Sequence, residues 1–309
     1  MATPSPEFWA WRGHRVAWIR AGSPGASPAV VLIHGFGASL RHWRHNIPVL
    51  ARETEVFALD LLGFGASDKP PSWLEGETRP PGSVRYGFAL WAELVRDFVD
   101  GPVQCLHPER PYQLVGNSIG GVVALAAASL LSERGHPPAQ VVLIDCAQRT
   151  LDERRVRELP MLERLSRPLL KRLVRERWLT TALFRWLARP AFIRRVLKVA
   201  YPSGANVDDE LVDLLFQPAT DPGAPESFRG FVNLFSDVLA PDFLAQLRLP
   251  VRMIWGGCDP WESPREARRW VQDFPAIRDL KVLEGLGHCP HDEDPEQVNS
   301  ILLQWLKSG

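Results

Sequence analysis

The sequence predicts an α/β fold in which a mostly parallel sheet carries helices on both of its faces. Runs rich in Val, Ile and Leu alternate with helix-length segments. The runs are residues 29–35, 55–63, 112–117 and 140–147, and the helical segments are 40–52, 87–106 and 119–134. The runs are apolar throughout, as expected for strands buried on both faces. Strands that alternate with helices in this way predict parallel pairing.

The remaining segments complete this sheet and interrupt it once. Residues 8–22 (FWAWRGHRVAWIRAG) alternate apolar and polar side chains around Arg-Gly-His, which predicts an antiparallel hairpin at the sheet edge. After residue 149 the pattern becomes helical, and strand signals return only at 250–257 and 279–285, before a last helix at 295–306. We therefore expect a first core part at 1–149, a helical cap at 150–240 and a second core part at 241–309.

Composition excludes several classes of protein. The chain has 309 residues, of which 45% are hydrophobic, and 36 basic residues balance 36 acidic ones. This argues against a disordered chain and against a polycation that coats nucleic acid, so we expect no nucleic-acid partner. The N-terminal residues lack the features of a secretory signal, and the four cysteines form no CxxC pair. These features predict a reduced protein of the cytoplasm.

A nucleophile is predicted at Ser118. Residues 116–120 (GNSIG) match G-x-S-x-G, with a predicted strand before them and an Ala-rich helix after them. Such a strand-to-helix turn exposes the Ser oxygen above the carboxyl edge of the sheet, where free N–H groups favour developing negative charge. We expect the N–H groups of Ile119 and of Phe36, which lies in the HGFG loop after an earlier strand, to hold an oxyanion.

A serine hydroxyl needs a base, and the base needs an acid that fixes its tautomer. His288 follows the last predicted strand, and Asp259 follows the strand before it. In triads whose nucleophile sits on a G-x-S-x-G turn, the residues follow one another in the order Ser, acid, His, and Ser118, Asp259 and His288 have that order. The rival base is His291, and the rival acid is Asp145 at the end of an earlier strand. His34, in the HGFG loop, is expected to hydrogen-bond the backbone.

No cofactor or metal is expected. The His288-Cys289-x-His291 sequence would need two further ligands to hold a metal ion. The sequence has no P-loop, and Gly63-Phe64-Gly65 lacks the remaining glycine and the acidic partner of a dinucleotide fingerprint.

Several motifs together resemble the α/β-hydrolase superfamily over nearly the whole chain. They are HGFG, DLLGFGASDKP, GNSIGG, the acid loop WGGCDP and the His loop GHCPHDEDP. The resemblance implies an α/β-hydrolase fold, with a mostly parallel eight-stranded sheet and an inserted helical cap. Relatives that act on epoxides or haloalkanes carry Asp at the nucleophile position, so Ser118 argues against an alkyl-enzyme ester.

Three longer segments resemble a narrower branch of this superfamily. HGFGASLRHWRHNIPVL, LDLLGFGASDKP and GHCPHDEDPEQVN are similar to hydrolases of cyanobacteria and chloroplasts, a branch that includes pheophytinase and chlorophyll dephytylase. This resemblance implies a substrate such as the phytyl ester of chlorophyll pigments.

The charge is distributed unevenly. Residues 151–200 hold 14 Lys and Arg against five Asp and Glu, a net charge of +9, and the rest of the chain carries −9. Basic amphipathic helices with Trp178, Phe184 and Trp186 resemble segments that lie on anionic membranes. We therefore weigh a peripheral membrane contact, for instance at a thylakoid, against a solvated basic face or an interface with the acidic remainder of the chain.

The function that these features favour is a serine hydrolase cleaving a small-molecule ester that is bulky and lipophilic. The alternatives are a C–C bond hydrolase or a cofactor-free haloperoxidase-like enzyme on the same triad, and a non-catalytic ligand receptor of this fold. The oligomeric state is not predicted by any sequence feature.

Overall fold

The computed structural model describes residues 4–26, 28–103 and 110–307. In them one sheet is formed by β1 (Glu7–Trp11), β2 (His14–Ala21), β3 (Ala29–Ile33), β4 (Val56–Leu59), β5 (Tyr112–Asn117), β6 (Gln140–Ile144), β7 (Val251–Gly256) and β8 (Ile277–Leu283). The strand order is β1-β2-β4-β3-β5-β6-β7-β8. All neighbours from β4 to β8 are parallel, whereas β2 is antiparallel to β1 and to β4. The predicted eight-stranded, mostly parallel sheet and its edge hairpin are confirmed.

Helices cover both faces of the sheet. The described α-helices are α1 (Ile47–Leu50), α2 (Phe88–Phe98), α3 (Ile119–Glu133), α4 (Met161–Leu173), α5 (Arg177–Leu187), α6 (Pro190–Ala200), α7 (Asp209–Ala219), α8 (Ala224–Val232), α9 (Ala240–Leu244), α10 (Pro264–Asp273), α11 (Pro290–Glu293) and α12 (Pro295–Leu306). Short 3₁₀ helices span Leu40–Trp43 and Glu153–Glu158, and a π-helical turn spans Val99–Val103.

The apolar runs of the sequence explain the two packed layers. Successive side chains of a strand point to opposite faces, so β3 sends Val31 and Ile33 into one core and Val30 and Leu32 into the other. The first core lies under α2 and α3, and the second lies under α12. A strand in this position must be apolar at every residue, as β3 is.

Two predicted helices are shorter than expected. The segment 40–52 divides into the 3₁₀ turn Leu40–Trp43 and α1, because the ring of Pro48 cannot continue a preceding helix. The segment 87–106 is helical as α2 and then widens into the π-helical turn that contains Pro102. The predicted end of this helix at residue 106 lies outside the described residues.

Between β6 and β7 the described chain is helical and contributes no strand to the sheet. Helices α4 to α9 lie in this interval. The predicted cap, residues 150–240, begins before α4 and ends at the first residue of α9, and its status as a separate domain stays a prediction. None of the helices in the described ranges is long and apolar enough to cross a lipid bilayer.

The topology positions the site. Strands β5, β6, β7 and β8 are parallel neighbours, so their carboxyl ends meet at one edge of the sheet. Ser118 follows β5, Asp145 follows β6, and the loops after β7 and β8 carry the predicted acid and base. The candidate catalytic residues therefore lie at the same edge of the sheet, because the strands that precede them are neighbours.

Candidate active site

Ser118 occupies a strained turn between β5 and α3. Its backbone has φ 54° and ψ −120°, a combination that L-residues rarely adopt. Two hydrogen bonds to the neighbouring β6 segment hold it, from the Ser118 N–H to the Ile144 carbonyl at 2.9 Å and from the Ala147 N–H to the Ser118 carbonyl at 3.1 Å. The conformation is thus fixed by the sheet on one side and by the start of a helix on the other.

The glycines of the motif are required by the tightness of this turn. A Cβ atom on Gly116 would lie 2.6 Å from the Gly121 nitrogen, and one on Gly120 would lie 2.6 Å from the His34 carbonyl oxygen. Real Cβ atoms do not approach backbone atoms this closely. The G-x-S-x-G spacing is therefore a packing requirement of the turn that carries Ser118.

The predicted acid and base are in direct contact. The Nδ1 atom of His288 lies 2.8 Å from Oδ2 of Asp259. The other carboxylate oxygen, Oδ1, accepts the N–H groups of Trp261 at 2.9 Å and Glu262 at 3.1 Å. Burial by itself would raise the pKa of Asp259, but the hydrogen bond and charge of His288 outweigh it and hold that pKa below its usual value. Asp259 is therefore a carboxylate that orients the imidazole.

The nucleophile turn and the His loop are tied together by Asn117. Its amide nitrogen donates to the carbonyls of Ile144 and His288, both at 3.2 Å. The Ser118 hydroxyl itself hydrogen-bonds to no residue of the described ranges, His288 included. The structure therefore joins Asp259 to His288 directly and brings Ser118 to the same sheet edge through Asn117.

Asp145, the rival acid, is a neighbour of Asp259. Side-chain ligand atoms of Asp145, Asp259 and His288 lie within 4.8 Å of one another. Oδ1 of Asp145 accepts the Gly256 N–H at 2.9 Å, and Oδ2 is buried without a donor among the described residues. Burial raises the pKa of Asp145 well above its usual value, and the charge of Asp259 raises it further. Both effects favour the neutral form of Asp145 over its carboxylate.

The side chains of Asp145, Asp259 and His288 are close enough together to bind a metal ion. They are nevertheless too few for a structural zinc site, in which all ligands come from the protein. Such a site takes four protein ligands, and only three groups meet in the described part of the chain. His288 also directs Nδ1 to Asp259.

The two other candidate histidines are structural. His34 directs Nδ1 to the Gly35 carbonyl at 2.7 Å, and its Nε2 accepts the Leu61 N–H at 3.0 Å. Burial lowers the pKa of His34 to about 4, which keeps the ring neutral for that role. His291 is fully buried, and its ring packs against the rings of His42 and Trp43. The backbone role expected for His34 is confirmed.

The predicted oxyanion donors are close to Ser118 and free. A Cβ atom on Gly35 would lie 3.3 Å from the Cβ of Ser118, so the loop that contains Phe36 packs against the nucleophile. The N–H groups of Phe36 and Ile119 donate to no acceptor in the described part of the chain. Their role in holding an oxyanion stays a prediction.

Two contacts to His288 were not predicted from the sequence. The Trp261 ring lies edge-on to the imidazole, with centroids 4.9 Å apart. The His288 N–H donates to the carbonyl of Ala200, the last residue of α6, at 2.9 Å. Trp261 is two residues after Asp259 in the sequence, so its position near the acid could have been inferred from the sequence. The hydrogen bond to Ala200 joins residues 88 positions apart, and no sequence pattern indicates it.

An apolar cavity lies beside Phe36, between the core and the cap. It has a volume of about 60 Å³, and its aromatic walls are Phe36, Phe64, Phe184 and Phe228. Its one charged wall residue, Lys69, already donates to the carbonyls of Gly65 and Ser67. An open groove of about 790 Å³ between the core and α7 shares Gly65 and Pro218 with this cavity.

Comparison with known proteins agrees with the fold and with the hydrolytic chemistry. A family model described as "Alpha/beta hydrolase family" matches residues 30–301. The chain is 26% identical over 328 residues to the chloroplastic pheophytinase of Arabidopsis thaliana, an alignment that covers 95% of this chain and 64% of that protein. It is 30% identical over 292 residues to 2-hydroxymuconate semialdehyde hydrolase of Pseudomonas sp. (strain CF600), covering 91% and 88%.

A crystal structure of a serine hydrolase involved in carbazole degradation has the same fold, with a TM-score of 0.74 and 20% identity over 99% of both chains. The chain spans less than two thirds of the length of the pheophytinase relative. The family match, in contrast, covers most of this chain. The protein is therefore an enzyme, a hydrolase, and it belongs to the alpha/beta hydrolase family.

Proposed function

We propose that this hydrolase cleaves a carboxylic ester with a bulky apolar part, and that Ser118, His288 and Asp259 form its catalytic triad. The observation that carries the proposal is the 2.8 Å contact between His288 and Asp259 at the sheet edge that also presents Ser118. With Nδ1–H directed at Asp259, the imidazole keeps Nε2 as the proton acceptor.

The reaction proceeds in two halves. In the first, Ser118 Oγ attacks the ester carbonyl while His288 takes its proton, and the N–H groups of Phe36 and Ile119 stabilise the oxyanion. The tetrahedral intermediate collapses, the C–O bond to the alcohol breaks, and His288 gives the proton to the departing alcohol. In the second half, His288 removes a proton from water, which attacks the acyl carbon of the acyl-enzyme. The bond from the acyl carbon to Ser118 Oγ then breaks, His288 returns the proton to Ser118 Oγ, and the carboxylic acid is released.

The aromatic cavity supports an apolar substrate group. Four phenylalanine rings and other apolar residues line it, and its one cation is already hydrogen-bonded. A volume of about 60 Å³ is far below that of a drug-sized ligand pocket, roughly 300 Å³ or more, so a bulky substrate requires the cap helices α5 and α8 to separate. The similarity to pheophytinase supports the phytyl ester of a chlorophyll-type pigment as the substrate to test first.

One observation favours a second candidate, a C–C bond hydrolase on the same triad. The chain is 30% identical to 2-hydroxymuconate semialdehyde hydrolase, whose name specifies a substrate without an ester. Conjugated oxo acids and 1,5-diketones are therefore the competing substrates.

The test combines active-site labelling with turnover. A fluorophosphonate probe should label the wild type, and Ser118→Ala should abolish labelling. Ser227→Ala is the matched control, because Ser227 is a buried serine in the wall of the same cavity. Labelling that persists in Ser118→Ala, or that disappears in Ser227→Ala alone, contradicts the assignment of the nucleophile.

Substrate class is decided by turnover of pheophytin, of p-nitrophenyl esters with short and long acyl chains, and of conjugated oxo acids. We expect hydrolysis of the esters, with the highest kcat/KM for the most apolar. Faster cleavage of the oxo acids would replace the ester proposal by the second candidate. Hydrolysis of the p-nitrophenyl esters without release of phytol from pheophytin would exclude the pigment as the substrate but would still support an esterase.

A further inference from the structure

Helix α4 (Met161–Leu173) has its apolar face turned away from the protein. Arg167 is its one buried residue. Leu162, Leu165 and Leu169 are exposed to 78%, 69% and 62% of their surface, and Met161 to 75%. A surface helix of a globular protein normally buries its apolar stripe against the core, so this orientation is inverted.

The charged face holds the helix in place. Arg167 and Lys171 both contact the carboxylate of Glu153, at 3.1 and 3.0 Å, and both lie over the ring of Phe235. Arg167 also donates to the carbonyl of Leu151. At about 100° per residue, Leu162, Leu165 and Leu169 occupy an arc of roughly 60° on the side of the helix opposite Lys171. Because the ion pairs fix the rotation of α4, the leucines face solvent.

Other apolar side chains in the same segment are also exposed. Trp178 and Trp186 of α5 are exposed to 71% and 52%. Eleven of the 14 large hydrophobic residues that are exposed in the described ranges fall within residues 151–200. Single exposed apolar residues are ordinary, but a concentration of this kind marks an interaction surface. We call residues 161–187, helices α4 and α5, the exposed cap face.

The charge of this segment indicates what covers the face. Six of the 14 basic residues in 151–200 form ion pairs. The other eight form no ion pair within the described ranges; they are Arg157, Arg164, Arg172, Arg175, Arg185, Arg189, Arg195 and Lys198. A second copy of the chain would place the same positive charge against itself. An anionic lipid surface offers both negative headgroups and an apolar interior.

We propose that the exposed cap face docks on an anionic lipid bilayer, with Leu162, Leu165 and Leu169 at the acyl boundary. Basic residues such as Arg172, which is seven residues after Leu165 and so on the same side of α4, would lie against headgroup phosphates. The arrangement is that of an amphipathic helix lying in the membrane interface. Docking does not require catalysis, so it can be tested independently of the proposed ester hydrolysis. We expect Ser118→Ala to bind the bilayer as the wild type does.

The test is cosedimentation of the full chain with vesicles of phosphatidylcholine, alone or mixed with phosphatidylglycerol, at low and high salt. We expect binding to the anionic vesicles that weakens with salt. Leu165→Glu with Leu169→Glu should weaken binding about tenfold or more. Phe8→Glu with Val271→Glu is the matched control, because it adds the same charge at exposed apolar residues outside the cap and should leave binding unchanged.

Three outcomes would overturn the proposal. The first is no binding to anionic vesicles at low salt. The second is equal loss of binding in both double variants, which would make the effect one of net charge. The third is a dimer in analytical ultracentrifugation that the Leu165→Glu, Leu169→Glu variant dissolves while vesicles bind neither protein. Circular dichroism is used to check that the variants are folded, as we expect for substitutions at exposed positions.

Discussion

Asp145 and Asp259 place their carboxyl groups side by side, and only Asp259 is hydrogen-bonded to the imidazole of His288. Two neighbouring carboxylates cannot both be charged without a large penalty. Burial and the charge of Asp259 raise the pKa of Asp145, whereas the hydrogen bond and charge of His288 hold the pKa of Asp259 below its usual value despite its burial, so the negative charge is favoured on Asp259.

This relationship predicts different effects for two identical substitutions. Asp145→Asn should change kcat/KM by less than about tenfold, because burial raises the pKa of Asp145 and favours the neutral form that an amide replaces, and the amide oxygen can still accept the Gly256 N–H. Asp259→Asn should lower kcat by roughly 10⁴-fold, because His288 loses the group that fixes its tautomer. Ester hydrolysis at pH 7.5 (an ordinary assay pH, about one unit above the usual His pKa) measures both. The reverse order would make Asp145 the catalytic acid.

Gly120→Ala should destabilise the fold, because its Cβ would press on backbone carbonyls of the loop after β3. We expect the free energy of unfolding to fall by about 3 kcal/mol, measured by urea denaturation. Gly101→Ala is the control, since a Cβ there would lie 3.7 Å from Trp9, an ordinary contact, and should cost less than about 1 kcal/mol. Equal effects at the two positions would show that the turn tolerates a side chain.

Glu262, which accepts the Gln148 N–H near Asp259, should make stability pH-dependent. Burial raises the pKa of Glu262 from 4.5 to about 7. The folded state therefore binds a proton that the unfolded state releases, and stability falls as pH rises from about 4.5 through 7. Glu262→Gln should reduce this loss by about 1–3 kcal/mol between pH 5 and 8, measured by denaturation at each pH.

The exposed Glu296→Gln is the matched control for this measurement. A slope that both variants change equally would assign the pH dependence to groups other than Glu262.

Phe228→Ala should widen the cavity beside Phe36, because the Phe228 ring packs on Phe184 with centroids 5.4 Å apart. For p-nitrophenyl esters of increasing chain length, kcat/KM for long chains relative to short ones should rise about tenfold. The cost is a loss of about 3 kcal/mol of stability. Trp186→Ala, an exposed ring outside the cavity wall, should leave the ratio unchanged. If the ratio is unchanged in Phe228→Ala, the substrate does not bind in this cavity.

The strands and the nucleophile turn could be predicted because their causes are local. A fully apolar run such as β3 is buried on both faces, and the glycines at 116 and 120 are required by atoms of their own turn and the adjacent loop. The end of β4 illustrates the limit: the apolar run extends to residue 63, but the strand ends at Leu59, and the carboxylate of Asp60 accepts the N–H groups of Leu40 and Ala66 in the chain that follows.

The orientation of α4 could not be predicted. A spacing of three and four residues shows that Leu162, Leu165 and Leu169 share a face, but the same spacing suits a face turned inward or outward. The ion pairs of Arg167 with Glu153 and its position over Phe235 decide between them. The pairing of Asp145 with Asp259 likewise depends on the adjacency of β6 and β7, which are separated by the whole cap.

The bond from the His288 N–H to the Ala200 carbonyl limits how this enzyme can be recombined with its relatives. A chimaera whose foreign cap ends at residue 200 would replace the residue that anchors the backbone of the base. A graft that ends after α5 at Leu187 would exchange the exposed helices and the Phe184 wall while keeping α6 and its anchor. For cap exchange, the usable unit is therefore smaller than the insertion seen in the sequence.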